Sequence, residues 1–448
     1  MGRRLALLSL GLLVSSAPLR RPFLPVDAPP SGPAAGSLPL RVLQFNVLAD
    51  GLSGLRGDFG AFSRLGSAGE EVVWARRRDL LLREVLQYDP DVVCLQEVDH
   101  CESLGRPTRL TPQTTTASSP RCSPEAFPAS TPPSRVLQAS SSRPLTRPAS
   151  ACLEVSPSSD GCALFLRRSK LRLVSAETIT FALASDITVC PLRSSPVALR
   201  PQNQVAILAV CEVPGSGQRD RPPASVIVAT THLKATKNAV GELFRFHQAE
   251  QLLAALDKVK PSPLSNLIVQ ARSNVLRSDG SGAAVILTGD MNAKPVAGEG
   301  YPPLTYGALK SHSLGLTSAY NDNRLAQTTD SLRYDPETTR FYESRDELPE
   351  PDRRRPVGLL REGLYTTWKA RAKRGGEVVS KHCIDYILYT PRPPSDYRPA
   401  ATRSRVRAVR LLDVFNEEEI GLSLLPSAAY PSDHIAIAAD LTLEWDHC

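Results

Sequence analysis

Polar residues with the side chains needed for phosphate chemistry border short apolar runs at six places in the chain. These residues are Asn46, Glu97, His232, the pair Asp290 and Asn292, Asp385, and His434. Carboxylate and amide oxygens are ligands that Mg²⁺ prefers, and a histidine beside a carboxylate suits proton transfer or the stabilisation of a phosphate. One polar residue beside an apolar run is ordinary, but six such places predict a site for metal-assisted phosphoryl transfer.

One stretch, residues 283–295 (AAVILTGDMNAKP), shows how such a site could be built. An apolar run of strand length ends near Gly289, and Asp290 and Asn292 follow two residues apart. Residues i and i+2 of an extended strand face the same way, so the carboxylate and the amide would project together at a strand end, where ligands gather in α/β sheets. By itself the stretch also fits a strand followed by an Asx turn, but the recurrence of similar strand ends favours the site.

Apolar runs and helical spacing place these residues on a framework of strands and helices. Strands are predicted at residues 40–48, 91–97, 162–166, 171–174, 205–213, 226–231, 285–288, 384–389 and 435–443, and helices at 70–87 and 244–258. The first strand, helix and strand indicate a βαβ-like crossover or a layered α/β sandwich. The polar stretch 321–362 lacks periodicity and is predicted to be a loop or an insertion.

The composition indicates a globular protein with additional proline-rich segments. Of its 448 residues, 42% are hydrophobic and 22% are charged, and the chain contains 39 prolines. The formal net charge of +7 is compatible with a phosphate-bearing partner. The nine cysteines include no C-x-x-C pair, so the sequence indicates neither a zinc site nor a disulfide framework, and it favours a reducing compartment.

The chain is predicted to consist of a leader and linker, residues 1–39, followed by one large domain, residues 40–448. The first 21 residues are basic and free of acidic residues, and the apolar stretch within them is too short to span a membrane. They fit a signal peptide or an organelle transit sequence. Within the large domain, residues 102–146 are rich in Ser, Thr, Pro and Arg and are predicted to be a disordered insertion.

Seven short motifs together resemble the endonuclease/exonuclease/phosphatase superfamily. In chain order they are QFNVLA, CLQEVDH, DGCALF, THLKA, GDMNAKP, CIDYIL and YPSDHIAI. The resemblance covers residues 40–443 apart from the insertions. Within the superfamily, the motifs most resemble a branch related to the carbon catabolite repressor 4-type deadenylases. The resemblance implies a four-layer α/β sandwich, in which two mixed β-sheets pack face to face with helices outside.

The resemblance also implies a role for each residue that contacts the metal or the attacking water. Asn46 and Glu97 would hold Mg²⁺, with Glu97 as the main protein ligand. Asp290 would orient and deprotonate the water, and Asn292 would hold a phosphate oxygen. These roles agree with elementary chemistry, because a phosphorus under attack needs donors at its equatorial oxygens and a cation that offsets the charge.

Further residues would bind or stabilise the phosphate. The resemblance implies that His232 donates to the scissile phosphate and that His434 stabilises the developing charge, with Asp385 fixing its tautomer. Lys234 of the THLKA motif would contact substrate phosphate. Arg147 falls where similar proteins carry a lysine that touches the substrate, and an arginine can also bind phosphate.

Two departures from the family pattern are visible. The low-complexity residues 102–146 stand where similar proteins carry a helix and a strand, and Thr236-Lys237 follows THLKA where similar proteins carry an arginine. The first departure indicates either a genuine insertion or an error in the gene model.

The resemblance favours removal of the 2′-phosphate of NADP(H) as the reaction. The first alternative is a 3′-to-5′ exoribonuclease that shortens poly(A), and the second is a catalytically impaired module that binds nucleotides. Aromatic residues make up 6% of the chain, and scarce aromatic platforms favour the dinucleotide over stacked RNA bases. The protein is further expected to be a monomer without stable insertion in a membrane, located in mitochondria or the cytoplasm.

Overall fold

The computed structural model describes residues 21–26, 36–54, 61–65, 69–99, 150–155, 161–184, 199–217, 223–259, 283–295, 301–320, 365–391 and 404–445. The predicted insertion at 102–146, the polar stretch 321–362 and Arg147 lie outside these ranges.

The described residues form strands, helices and two short 3-10 turns. The strands are β1 (Phe23–Pro25), β2 (Gly36–Asn46), β3 (Val92–Val98), β4 (Ser150–Val155), β5 (Gly161–Arg167), β6 (Arg172–Ala184), β7 (Leu199–Glu212), β8 (Ser225–His232), β9 (Ala284–Asp290), β10 (Thr317–Ser318), β11 (Thr367–Lys373), β12 (Gly376–His382), β13 (Asp385–Tyr389), β14 (Ser404–Leu412) and β15 (Ile437–Trp445). The α-helices are α1 (Trp74–Leu86), α2 (Ala239–Val259), α3 (Leu304–Ser311) and α4 (Glu417–Ile420), and the 3-10 turns are Asp50–Leu52 and Glu70–Val72.

Two mixed sheets and a hairpin account for all of these strands. The first sheet has the order β1-β14-β15-β2-β3-β5-β4, and the second has the order β10-β13-β9-β8-β7-β6. Strands β2 and β3 are parallel, as are β8 and β9, whereas the other paired neighbours are antiparallel. Strands β11 and β12 form a separate two-stranded hairpin.

The central strands of the second sheet are buried on both faces, which explains why they are continuous apolar runs. In β7, Val205 and Ile207 belong to a core shared with the first sheet, whereas Ala206 and Leu208 belong to a second core with Leu252 of α2. Helix α1 packs through Leu81 on the first of these cores, which also contains Val205 and Ile207. The predicted four-layer α/β sandwich, with two mixed sheets face to face and helices outside, is therefore confirmed.

The parallel pairs bring several chain segments to one edge of the sandwich. The carboxyl ends of β2 and β3 meet there in the first sheet, and those of β8 and β9 meet there in the second. Strands β13 and β15 run antiparallel to their neighbours β9 and β2, so their first residues lie at the same edge. Polar residues at these six places are consequently drawn together, although they are far apart in the sequence.

Two strands include residues that precede residue 40, the predicted start of the large domain. The expected linker up to residue 39 contains the start of β2 at Gly36, and β1 pairs with β14 from Phe23 onward. Arg21 is 5% exposed. Proline-rich composition is typical of linkers, but an edge strand such as β1 also tolerates a proline whose missing N–H faces away from its neighbour.

Several elements have no clear sequence signal and were not predicted. They include β4, the hairpin of β11 and β12, β14, and helix α3. In β11 the charged residues Lys369, Arg371 and Lys373 alternate with alanines, and the residues of β12 are mostly exposed. A strand stabilised by its cross-strand partners and by charge pairs lacks the apolar periodicity on which sequence prediction depends.

Within the described ranges, no helix is long and apolar enough to cross a membrane.

Gly289 is the point at which β9 must change course before Asp290. Its φ of 153° is disfavoured for residues with a side chain, and a Cβ there would lie 2.2 Å from the carbonyl oxygen of Thr231. The neighbouring strand β8 therefore approaches β9 more closely than any residue except glycine allows.

We expect Gly289→Ala to lower the free energy of unfolding by at least about 2 kcal/mol, because strain and a backbone clash both oppose the native conformation. Gly307→Ala is the matched control: this residue lies in helix α3 with no atom within 4 Å of an added Cβ. The control should raise stability by about 0.5–1 kcal/mol. Urea unfolding of the two variants beside the wild type gives both values, and equal stabilities would contradict the expected clash.

Candidate active site

The edge described above brings together the side chains from all six strand ends. They are Asn46 from β2, Glu97 from β3, His232 from β8, Asp290 and Asn292 from the end of β9, Asp385 from the start of β13, and His434 just before β15. All except His232 are buried. The cluster therefore concentrates several charged groups in a region largely removed from water.

Glu97 reaches the cluster through an irregularity in its strand. The pairing of β3 with β5 shifts register between Gln96 and Val98, and Glu97 has a φ of 56°. Such a bulge re-aims one side chain out of the regular alternation. The Glu97 carboxylate accepts hydrogen bonds from the Asn46 side-chain amide at 2.9 Å and from the backbone N–H of Ala49 at 3.1 Å.

Asn46 lies between the two carboxylates that face each other across the sheets. Its Nδ2 donates to Glu97 Oε1 at 2.9 Å and to Asp290 Oδ2 at 3.0 Å, and its Oδ1 accepts from the backbone N–H of Leu48 at 3.1 Å. The amide group thus separates two negative charges. The side-chain oxygen, which the family resemblance assigns to the metal, points away from the carboxylates in this arrangement.

The donor set fits a divalent cation. Ligand atoms of Glu97, His232 and Asp290 lie within 4.8 Å of one another, as do those of Asp290, Asp385 and His434. Two carboxylates beside an amide provide the oxygen ligands that Mg²⁺ prefers. Asn46 could contribute its oxygen after a half-turn of its amide, which exchanges the positions of Oδ1 and Nδ2 with little change in shape.

His434 is oriented by Asp385. The imidazole Nδ1 lies 2.9 Å from Asp385 Oδ2, which places the Nε2 side toward Asp290 at 3.7 Å. Asp385 is itself held on both oxygens, by Gln44 Nε2 at 2.7 Å and by Thr366 Oγ1 at 2.6 Å. The pair therefore has the geometry in which a carboxylate fixes the tautomer and direction of a histidine.

The charges in the cluster shift one another's protonation. Burial acts to lower the pKa of His434, but Asp385 and Asp290 outweigh it and raise the value to about 9. For Asp290, burial acts to raise the pKa, and the combined effect of His434, His232 and Lys237 holds it below its ordinary value. Asp290 is consequently ionised and His434 is a cation at neutral pH.

His232 contacts the same carboxylates from the second sheet. Its Nε2 lies 3.5 Å from Asp290 Oδ2 and 4.0 Å from Glu97 Oε1. It is more exposed than the rest of the cluster, with 17% of its side chain accessible. The imidazole thus stands at the rim, where a bound phosphate could reach it.

Asn292 is fixed by a partly buried lysine, Lys237. Its backbone N–H donates to Asp290 Oδ1 at 2.9 Å, its Nδ2 donates to the carbonyl of Leu233 at 3.0 Å, and its φ is 49°. Lys237 Nζ donates to the Asn292 side-chain oxygen at 2.7 Å and to its carbonyl at 3.0 Å. Burial lowers the pKa of Lys237 to about 7, although Asp290 acts in the opposite direction.

The cation that sequence reasoning assigned to this region was Lys234, and the structure adds Lys237. The backbone of Lys234 is held by Gln248 and Arg245 of helix α2, and its side chain is partly exposed. Lys237 is three residues further on, in the segment that departs from the family pattern. The departure from the family pattern at Thr236-Lys237 indicated that contacts in this segment differ. Residue spacing alone could not show that Lys237, rather than Lys234, contacts Asn292.

Sequence reasoning also missed the residues that hold the His434 segment. Thr367 Oγ1 donates to the carbonyl of Asp433, and the Asp433 carboxylate pairs with Lys369 at 2.5 Å and with Arg371 at 3.7 Å. Thr367, Lys369 and Arg371 belong to β11, which was not predicted. The role of Gln44, which holds Asp385, could have been predicted from the sequence. Gln44 lies two residues before Asn46 on the same strand, so both side chains face the same way.

The chain is similar to known proteins over most of its length. The sequence model of the endonuclease/exonuclease/phosphatase family matches residues 43–434. Nocturnin from Rattus norvegicus is 29% identical over 408 residues, which are 90% of this chain and 66% of that protein. Nocturnin from Drosophila melanogaster is 30% identical over 421 residues, which are 92% of this chain and 48% of that protein. The chain thus spans less than two thirds of the length of these relatives.

A solved structure shows the same fold. The structure described as ANGEL2, a 2′,3′-cyclic phosphatase, in complex with adenosine-2′,3′-vanadate aligns with a TM-score of 0.51 at 17% identity, and the match covers 95% of this chain and 99% of that one. The seven motifs most resemble those of nocturnin, and the sequence matches confirm this resemblance.

In metal-free protein, the His434 imidazole should titrate near pH 9 rather than at its ordinary value of 6.5. Asp385→Asn removes the charge that stabilises the imidazolium, so its midpoint should fall toward the ordinary value. Histidine ring signals followed by NMR between pH 5 and pH 10 measure both midpoints, and His434→Asn identifies the signal by its loss. A wild-type midpoint near 6.5 would contradict the charge arrangement described above.

Proposed function

The chain belongs to the endonuclease/exonuclease/phosphatase family, and on that basis we propose that it is a Mg²⁺-dependent phosphoester hydrolase that removes the 2′-phosphate of NADP(H). The observation that supports hydrolysis is the convergence of Glu97, Asp290 and His434 from both sheets at one edge of the sandwich. Carboxylates that flank a cation, with a protonated histidine beside them, provide a base, a charge-stabilising donor and a metal position in one place.

Glu97 would hold the metal ion, with the Asn46 oxygen as a second ligand. When bound, Mg²⁺ supplies Lewis-acid chemistry that offsets negative charge on the phosphate. The bulge at Glu97 directs its carboxylate toward Asp290 and leaves one oxygen pinned by the backbone of Ala49. This arrangement limits the motion of the ligand before the ion arrives.

Asp290 would orient the attacking water and accept its proton. One of its oxygens accepts from the backbone N–H of Asn292, and the other accepts from the Asn46 amide. These two donors fix the direction of the carboxylate, and its lowered pKa keeps it ionised. A water hydrogen-bonded to Asp290 would attack phosphorus while the carboxylate accepts its proton. The ester P–O bond would then break, and the ribose 2′ oxygen would leave as a hydroxyl after taking a proton from solvent.

His434 and His232 would stabilise the phosphate from two sides. The Nε2 side of His434 faces Asp290, so a phosphate that approaches this carboxylate also meets a cationic donor. Asp385 holds that imidazole in place and supports its charge. His232 stands at the more exposed rim and would donate to an oxygen of the scissile phosphate.

The preference for NADP(H) rests on the cations near the site. A dinucleotide with several phosphates needs positive groups around the metal, and Lys237 holds Asn292 while Lys234 lies on the same segment. We place Lys234, and Arg147 outside the described ranges, as phosphate contacts, whereas Lys237 holds Asn292. Several of the sequence relatives are nocturnins, which places this chain near that group.

Poly(A) shortening is the alternative substrate choice. Matches also include carbon catabolite repressor protein 4 homolog 1 from Arabidopsis thaliana, 25% identical over 423 residues, and a protein described as a probable RNA exonuclease from Saccharomyces cerevisiae. Both candidate reactions break a phosphate ester and need the same metal and base. They differ in what binds beyond the scissile phosphate.

A binding module that has lost catalysis is the third possibility. The presence of Glu97, Asp290, Asn292 and His434 in one buried cluster supports an active enzyme instead. A test must therefore ask first whether the purified chain turns over any phosphate ester, and then which one.

Glu97→Ala should lower kcat/KM by about two orders of magnitude or more, the size expected for loss of one electrostatic group in the transition state. The matched control is Glu212→Ala, since Glu212 ends β7 at the opposite edge of the sheet and pairs with Arg172 on the surface. Phosphate release is measured with Mg²⁺ for both variants, and circular dichroism checks that each is folded. Near-wild-type turnover by folded Glu97→Ala would show that the metal assignment is wrong.

The choice of substrate is tested by kcat/KM for NADPH and for oligo(A) on one preparation, with Mg²⁺ and with EDTA. We expect phosphate release from NADPH to exceed shortening of oligo(A), and EDTA to abolish it, because the carboxylate cluster needs a divalent cation. Faster shortening of oligo(A) with NADPH untouched would make the protein a deadenylase. No turnover of either compound, with nucleotide binding retained, would support the binding module.

A further inference from the structure

A second buried polar cluster lies beneath the segment that carries His434. We call it the Arg21 cluster, and it consists of Arg21, Glu84 of helix α1 and Tyr430. Their exposed fractions are 5%, 4% and 2%. Charged groups this deeply buried are unfavourable unless they are paired and hydrogen-bonded, so the partners of each group show what the cluster holds.

Arg21 connects three separate parts of the chain. Its Nη2 pairs with Glu84 at 2.5 Å, and its Nη1 donates to the carbonyls of Asp413 at 3.0 Å and Ala436 at 2.8 Å. The guanidinium also lies 4.6 Å from the centre of the Phe415 ring. A planar group with five donors can make these contacts at once, which a lysine cannot.

Tyr430 provides a second hydrogen bond to the backbone of Ala436. Its hydroxyl donates to Glu84 at 3.2 Å and accepts from the backbone N–H of Ala436 at 2.8 Å. The carbonyl of the same residue is held by Arg21. Both backbone polar groups of Ala436 are therefore bound by the Arg21 cluster.

Ala436 lies two residues after His434, and the other side of that histidine is also anchored. The His434 backbone N–H donates to Ser432 Oγ at 3.1 Å, and this hydroxyl donates to the carbonyl of Asn46 at 2.7 Å. The intervening Ile435 N–H donates to the carbonyl of Thr366 at 2.7 Å. The segment is thus tied to the metal-side strand before His434 and to the Arg21 cluster after it.

We propose that Arg21, Glu84 and Tyr430 are positioning residues that hold His434 in register with Asp290 and Asp385. This inference rests on the proposed hydrolase function of the same site. The three residues act through the backbone of Ala436 and do not touch the candidate reacting groups. A displacement of about 1 Å at a catalytic group can lower a rate by about 10²-fold, so a remote anchor of this kind should affect turnover rather than binding.

Tyr430→Phe is the sharpest change, because it removes the hydroxyl and keeps the ring that packs on Phe45 and Phe415. We expect kcat to fall by about tenfold or more with little change in KM, the pattern of an interaction used in the transition state. Rates are measured with Mg²⁺ on NADPH and on oligo(A). Circular dichroism at the assay temperature confirms that the variant is folded.

Tyr320→Phe is the matched control. The Tyr320 hydroxyl is also buried; its single proton faces the carbonyls of Leu412 at 2.8 Å and Ala438 at 3.0 Å, and its oxygen accepts from the Ala438 N–H. Ala438 lies inside β15, where pairing with Leu43 of β2 already fixes its position. This control should lose stability but keep its kcat.

A double-mutant cycle with His434→Ala separates positioning from general damage. If Tyr430 acts through His434, adding Tyr430→Phe to His434→Ala should cause no further loss of kcat. An equal further loss in both backgrounds would overturn the proposal, as would a wild-type kcat for folded Tyr430→Phe. Unchanged rates in His434→Ala itself would instead refute the role given to His434 under the proposed function.

Arg21→Lys provides a second route if Tyr430→Phe does not fold. A lysine keeps a positive charge near Glu84 but cannot also hold the Ala436 carbonyl in the same geometry. The same loss of kcat, again suppressed in the His434→Ala background, is expected. Wild-type kcat in this variant would overturn the proposal.

Discussion

Three buried carboxylates, Glu97, Asp290 and Asp385, lie close together at one edge of the sandwich, and the surrounding structure offsets their mutual repulsion. Like charges in a region of low dielectric disfavour one another's ionisation. The amide of Asn46 separates the first two, and the imidazolium of His434 lies between the second and third. A divalent cation bound at Glu97 would complete this compensation, and its binding would then stabilise the edge.

The same edge concentrates unusual backbone conformations. Glu97 and Asn292 have positive φ values without being glycine, and Gly289 lies where a side chain would meet the backbone of Thr231. Such conformations persist only where the surroundings determine them strongly. Here the strands behind the edge are packed on both faces, in one core between the sheets and in another under helices α2 and α3. The well-packed strands therefore hold the backbone of Glu97, Gly289 and Asn292 in these unfavourable conformations.

The sequence was informative wherever burial produced a simple pattern. Strands such as β9 are apolar on both faces, so a continuous run followed by Asp290 and Asn292 was recognisable. Helix α1 was located correctly, but its buried face carries Arg77 and Glu84 beside Leu81. Apolar periodicity assigns charged residues to the solvent side, so it could not show that this helix supports the candidate site with polar contacts.

Other features depend on contacts between distant segments. The side-chain oxygen of Asn46 faces Leu48 because its amide nitrogen bridges two carboxylates from different strands, which no local pattern encodes. Lys237 turns toward Asn292 because helix α2 begins immediately afterwards and fixes the preceding segment. Residue types at strand ends could be predicted, whereas their orientation depends on the assembled tertiary structure.

The burial of Arg21 also sets a limit on proteolytic maturation. A peptidase that cut after this residue would leave the buried Glu84 carboxylate without its arginine partner and would release the carbonyl of Ala436. An uncompensated buried charge costs several kcal/mol, a large part of the stability of an ordinary domain. Any cleavage compatible with the folded domain would therefore have to leave Arg21 in place.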